Sequence, residues 1–154
     1  MFRRPSPSLR PVAADGIRRR LHVERSVRLG RHMQVTLRVT TAQDTDRTCE
    51  LWIVSVDDDV YVRALSGVRT WWHRQVAGSS AQVWCADGIV QAHFEPVPDL
   101  PLLERIDAAY AQKYGLGWPG PVGFITAPVA RAATLRVVSA PEIGGRRGEP
   151  SDTA

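Results

Sequence analysis

The feature that most constrains this chain is a strict alternation. Between residues 33 and 40, Met33, Val35, Leu37 and Val39 point one way, and Gln34, Thr36, Arg38 and Thr40 point the other. That is the period of a half-buried strand, and a helix would scatter the same apolar residues around its circumference. Residues 49–56 (CELWIVSV) are almost continuously apolar, which predicts a strand covered on both faces. Asp57, Asp58 and Asp59 make a turn, and residues 60–65 (VYVRAL) return antiparallel until Ser66 and Gly67 break the run. A second hairpin joins residues 81–86 to residues 89–95 through Asp87-Gly88, a pair tolerant of positive φ, and Pro96 and Pro98 stop it. Residues 132–138 (AATLRVV) give a sixth strand.

Helical signals fill the gaps. Residues 69–77 (RTWWHRQVA) suit a short helix with Trp72 and Val76 stacked at i, i+4. Asp99 is a sound N-cap for a longer one. Its apolar stripe is Leu102, Leu103, Ile106, Ala109 and Tyr110; Glu104, Arg105, Asp107 and Lys113 take the wet side, and Gly115 closes it. Residues 115–128 read as a Gly/Pro-rich loop carrying Trp118 and Phe124 beside Tyr114. Strands paired through short turns, with helices after the third and fifth, predict a mainly β, antiparallel, closed or partly open barrel with two or three appended helices.

A chain of 154 residues holds one such core. It divides into a basic N-terminal arm (1–31), a barrel domain (32–140) and a C-terminal tail (141–154). Residues 1–14, with three prolines, read as disordered, and Ile17, Leu21 and Val27 could line a short helix from about residue 15. The arm carries nine arginines against Asp15 and Glu24, whereas residues 32–140 sum to −2. A basic arm can neutralise phosphates. Nineteen arginines against the single Lys113, however, is a composition bias, and it argues against nucleic acid as the partner. No membrane-spanning run and no secretory signal are expected. Cys49 and Cys85 cannot form a disulfide framework, so a cytoplasmic protein with reduced thiols is expected.

Chemistry-bearing residues are few. Arg63 ends a strand, and Ser66, Gly67 and Arg69 lie just before a helix start, where backbone N–H groups and guanidinium groups could hold an anion. The alternative is a strand-end arginine on a solvated face. Two adjacent tryptophans cannot both face the core of one helix, so Trp71 is expected at an interface or over a flat ligand. His73 reads as a surface histidine, or else a proton donor. The histidines have no metal-ligand spacing and no GxSxG is present, so neither a metal nor a serine nucleophile is expected.

Five segments, 51–67 (LWIVSVDDDVYVRALSG), 70–78 (TWWHRQVAG), 81–97 (AQVWCADGIVQAHFEPV), 105–115 (RIDAAYAQKYG) and 127–138 (APVARAATLRVV), resemble the DUF2255 family. That family is placed among the FMN-binding split barrels, with the pyridoxamine-phosphate-oxidase-like and deazaflavin-dependent nitroreductase-like proteins. The resemblance implies a six-stranded antiparallel split β-barrel, a homodimer, and FMN or a deazaflavin coenzyme used for hydride transfer to a small organic acceptor. It implies that Arg63, Ser66, Gly67 and Arg69 position the cofactor, that Trp71 stacks on it or closes the pocket, and that Arg47 and Thr48 assist. Deazaflavin-dependent relatives carry a glycine- and Lys/Arg-rich loop between the first two strands; here the loop is TTAQDTDRT (40–48), without glycine. A non-enzymatic ligand-binding or structural dimer is the second reading, and nucleic-acid association through the arm the third.

Overall fold

A computed structural model describes residues 9–40, 43–115 and 119–139. The elements run α1 (Leu9–Gly30), β1 (Gln34–Thr40), β2 (Asp46–Val56), β3 (Asp59–Arg63), α2 (Trp71–Val76), β4 (Ser80–Cys85), β5 (Gly88–Pro96), α3 (Leu100–Tyr114), α4 (Pro119–Ile125), α5 (Pro128–Arg131) and β6 (Thr134–Ser139). The six strands close a barrel in the order β1-β2-β3-β6-β5-β4, with every neighbouring pair antiparallel. Leu37 shows the closure, pairing with Cys49 on one side and Val83 on the other.

The alternation predicted for β1 sets the barrel interior. Val35, Leu37 and Val39 are buried with Leu51, Ile53, Val60, Val62, Phe94, Leu135 and Val137. The other face of β2 and β3 forms a second layer. There Val54, Val56 and Tyr61 pack under Leu103, Ile106, Tyr110 and Tyr114 of α3 and Val122 and Ile125 of α4. Thus β2 is apolar on both faces because it separates two cores, although Glu50 and Ser55 remain exposed.

Several expectations are corrected. The N-terminal helix is not short: it spans 22 residues from Leu9, inside the stretch expected to be disordered. Its docked face supplies the tertiary support that weak periodicity could not. Leu29 and Ser26 are buried, and His22 reaches Asp59 at 2.8 Å. Gly30 lies so close to β2 that a Cβ would stand 2.1 Å from Ser55 Oγ. The second hairpin turns at Ala86-Asp87, because Gly88 already pairs with Cys85. Gly115 ends α3 in right-handed conformation, with φ −61°. The Gly/Pro stretch contains α4, and α5 begins at its last residue, which brings the helices of the described residues to five. The tail 141–154 and Trp118 lie outside the described residues. No helix among the described residues is long and apolar enough to cross a membrane.

Candidate functional site

β3 ends at Arg63, and its direction carries the guanidinium into the second layer rather than into solvent. The side chain is fully buried. Nε donates to Thr134 Oγ1 at 2.8 Å, Nη2 to the Leu103 carbonyl at 3.0 Å, and Nη1 to the Ile125 carbonyl at 3.1 Å and to Asp107. Asp107 also accepts from Arg131 at 2.6 Å. A buried charge persists only when paired and hydrogen-bonded, and here every nitrogen is answered within the chain. The sequence places Arg63 beside a ligand anion or on a solvated face; the structure encloses it as the tie between β3, α3, α4 and β6. Asp107, expected on the wet side, faces inward for the same reason.

The turn after β3 is similarly self-contained. Gly67 N–H donates to the Ala64 carbonyl at 3.0 Å, and its own carbonyl accepts from Thr70 N–H at 3.1 Å. Gly67 takes φ +90°, and a Cβ would meet Val129 Cγ1 at 2.7 Å, so both conformation and close approach require glycine. Ser66 and Arg69 are exposed. On the neighbouring edge the Arg47 guanidinium stacks over the Trp71 ring at 3.9 Å. Trp71 is therefore faced by this chain's own cation, and Thr48 stands exposed beside Arg47. Loop 40–48 carries hydrogen bonds of its own among the described residues. Asp46 accepts from Arg38 Nε at 2.9 Å and from Thr40 Oγ1 at 2.9 Å. His73, expected at the surface, is buried against Trp72; burial lowers its pKa, and a hydrogen bond with the Val68 backbone opposes that shift.

Between β2, the turn at residues 64–70 and α4 lies a cavity of about 300 Å³. Leu51, Trp52, Leu65, Trp72, Pro121 and Ile125 form its apolar walls, and Gln34, Glu50, Arg63, Ser66 and Thr70 contribute polar atoms. Two of the predicted residues, Arg63 and Ser66, line it; Gly67, Arg69, Trp71, Arg47 and Thr48 do not. The Trp52 wall is rigid. Its ring stacks on Tyr114 at 4.1 Å and 3°, and the Tyr114 hydroxyl donates to the Met33 carbonyl at 2.7 Å and accepts from Ile53 N–H at 3.1 Å. Thr70 is one of two anomalies among the described residues, the other being Arg131 Nε. Thr70 Oγ1 is buried without a hydrogen-bond partner, although it stands at the N-cap of α2 where it could have bonded a backbone N–H. Sequence reasoning missed Trp52, Thr70, Gln34 and Glu50. Trp52 was hidden in an apolar run, and Thr70 had the only visible signal, a threonine before a helix.

A wider open groove of about 880 Å³ runs past Arg38, Thr40, Asp46, Gln75 and Gln82. Its cation, Arg38, is already held by Asp46. The smaller, aromatic-walled cavity better matches the apolar walls and few polar groups of a small-molecule site.

The family model for an uncharacterized protein conserved in bacteria, DUF2255, matches residues 26–137. The chain belongs to the DUF2255 family. The match takes in the end of α1 and the whole barrel up to Val137 of β6. Two solved structures are similar to this family member. One is an FAD-binding protein from Mycobacterium smegmatis, with 16% identity and a TM-score of 0.47, the alignment covering 73% of this chain and 83% of that one. The other is an FAD-binding protein from Mesorhizobium loti, with 20% identity and a TM-score of 0.47, covering 79% of this chain and 89% of that one. No curated protein matches the chain.

A flavin has a flat ring with a polar edge and, in FMN, a phosphate tail. The cavity fits the first part: aromatic and aliphatic walls, with the Thr70 hydroxyl in need of a partner. It does not fit the second, because its one lining cation, Arg63, is committed to Asp107, Thr134 and two carbonyls.

Proposed function

We propose that this barrel binds a flat heteroaromatic ring of the flavin or deazaflavin class in the cavity beside Trp52. Such a ring, when bound, supplies hydride transfer to a small organic acceptor. The protein's own part is to orient the ring and exclude water. Trp52 and Trp72 offer π surface, and Gln34, Ser66 and Thr70 offer hydrogen bonds to a ring edge. The observation that carries this reading is the Thr70 hydroxyl, buried and unbonded at a residue that lines the cavity beside its aromatic walls. A polar group left so costs about 1–3 kcal/mol, which a ligand acceptor or donor would recover.

The test is a titration of the whole protein with riboflavin, FMN, FAD and a deazaflavin, read by tryptophan and flavin fluorescence. Saturable quenching is expected. Riboflavin should bind within about fivefold of FMN, since an exposed phosphate contact contributes no more than about 1 kcal/mol. Trp52→Ala and Thr70→Val should each weaken binding. No quenching by any of the four, or wild-type affinity in both variants, overturns the reading.

The commitment of Arg63 also favours a second reading, a barrel that binds such a ring without turnover. It predicts quenching with no reduction of nitroaromatic or quinone acceptors when a reductant is supplied. For the homodimer, the elements framing the cavity carry exposed Leu65, Val68 and Phe124, and α5, against Gly67, carries exposed Val129. We assign the contact with a second copy to them; Phe124→Glu should lower the mass measured by light scattering, and an unchanged mass refutes the assignment.

A further inference from the structure

We propose that His32, Cys85 and Asp87 form a binding site for a divalent, zinc-like metal ion at the turn of the β4–β5 hairpin. Their ligand atoms all lie within 4.8 Å of one another. His32 Nε2 is 3.0 Å from Asp87 Oδ1, and Cys85 Sγ is 3.0 Å from the same oxygen. Ligand atoms around a tetrahedral zinc stand roughly 3.3–3.6 Å apart, so small side-chain rotations would seat an ion. Nothing in the sequence spacing announces this group, because 53 positions separate His32 from Cys85.

The backbone holds the three in place. His32 N–H donates to the Leu29 carbonyl at 3.2 Å, and its carbonyl accepts from Lys113 Nζ at 2.6 Å. Cys85 is fixed by its pairing with Gly88, and Asp87 sits in the two-residue turn between them. Asp87 is exposed while His32 and Cys85 are half-buried, so an ion has a way in.

The chemistry favours a metal over a nucleophile. A thiol is activated by a neighbouring base or cation. Here the negatively charged carboxylate stands 3.0 Å from both thiol and imidazole, so a thiolate would form beside a like charge. A divalent cation would offset both negative charges. Its binding breaks the Cys85 S–H bond, forms a metal–thiolate bond and releases one proton to solvent, while Asp87 binds as carboxylate and His32 through neutral Nε2. Thiolate and carboxylate then balance the metal's charge, and water completes the coordination. Sulfur and nitrogen donors select zinc or cobalt over calcium or magnesium. Arg28 flanks the hairpin, with Nη1 3.9 Å from the position of a Cβ on Gly88, and its charge opposes the ion.

The experiment uses the full chain with zinc and, as a spectroscopic probe, cobalt. Calorimetry in two buffers should give a single ion per chain and one proton released. Cobalt should produce a thiolate charge-transfer band that Cys49→Ser keeps and Cys85→Ser loses. His32→Ala and Asp87→Asn should each weaken zinc by at least about tenfold, and Arg28→Ala should tighten it. No binding at micromolar zinc, or a band that survives Cys85→Ser, overturns the proposal. Should Cys85→Ser fail to fold, the wild-type protein decides: zinc must protect Cys85 and not Cys49 from iodoacetamide, and equal alkylation with and without zinc overturns it.

Discussion

The two faces of β2 are organised by different physics. Its inner face, Leu51 and Ile53, joins an interior of mainly aliphatic side chains closed by hydrogen-bonded strands. Its outer face, Trp52, Val54 and Val56, meets a layer in which apolar packing is threaded with buried polar ties. Arg63 joins β3 to Asp107, Thr134 and two carbonyls. Lys113 Nζ donates to the carbonyls of Gly30 at 3.1 Å, His32 at 2.6 Å and Ile53 at 2.6 Å. The interior needs only residues of the right size at alternate positions. The outer layer needs particular partners brought together across the chain, and the candidate cavity opens at its margin. Interior substitutions should therefore be graded by volume, and outer ones by which polar group loses its partner.

Breaking the Arg63 tie tests that contrast most severely. Arg63→Met takes a donor from Thr134 and two carbonyls and leaves Asp107 with Arg131 alone, and removal of one partner of a buried pair costs about 3–5 kcal/mol. Adding Asp107→Leu should recover part of this, whereas adding Leu37→Ala, in the barrel interior, should simply sum. Denaturant midpoints of the single and double variants read the difference. Additivity of Arg63→Met with Asp107→Leu would show that the outer layer is organised like the interior. Next in size is Lys113→Met. It keeps the aliphatic stem but leaves three carbonyls short of a donor, for an expected loss of about 2–3 kcal/mol, read in the same way. Burial pushes the Lys113 amine down to about 8, so near neutral pH it remains a donor.

The same contrast explains what could be read from sequence. Val35, Leu37 and Val39 announced the barrel because strand burial is a local, period-two property. Asp99 announced α3, and its carboxylate accepts from Leu102 N–H at 3.3 Å. Arg63, Asp107 and Lys113 were misplaced because periodicity, of a strand for the first and of a helix for the other two, carries no information about partners 44 or 60 residues away. The helices α4 and α5 were hidden by their prolines. Pro119 and Pro128 open them, where a missing N–H costs nothing, yet in sequence they look like loop breakers. In the candidate site, Ser66 was legible as a turn residue, but the Trp52 wall depended on stacking with Tyr114, a contact between β2 and α3.

His73 gives a smaller effect that sharpens the comparison by pH. Its ring is buried between Trp72 and the turn, and burial lowers its pKa below the ordinary value of 6.5. In the window just below 6.5 the unfolded chain binds a proton that the folded chain resists. Stability is therefore fully present above that value and falls as pH drops through the window toward the lowered folded pKa. Thermal melts across this range should show the decline, and His73→Gln should flatten it. A variant with the wild-type slope would assign the acid sensitivity to other groups.

The smallest expected change in stability falls on a residue whose substitution should still weaken binding. Thr70 Oγ1 has no partner to lose, so Thr70→Val exchanges a buried, unbonded hydroxyl for a methyl of similar shape. Replacing an unsatisfied polar group by an apolar isostere is neutral or stabilising. The melting temperature should hold or rise slightly, by an equivalent of no more than about 1 kcal/mol. A ring bound against that wall would lose a hydrogen bond, so its affinity should drop while the fold is unharmed. Most substitutions in the outer layer damage both together, since their polar groups already serve the fold. A Thr70→Val protein that is destabilised by more than about 1 kcal/mol would mean the hydroxyl has a structural bond after all. The cavity would then be one more tie in the outer layer, and the case for a ligand beside Trp52 would lose the observation on which it rests.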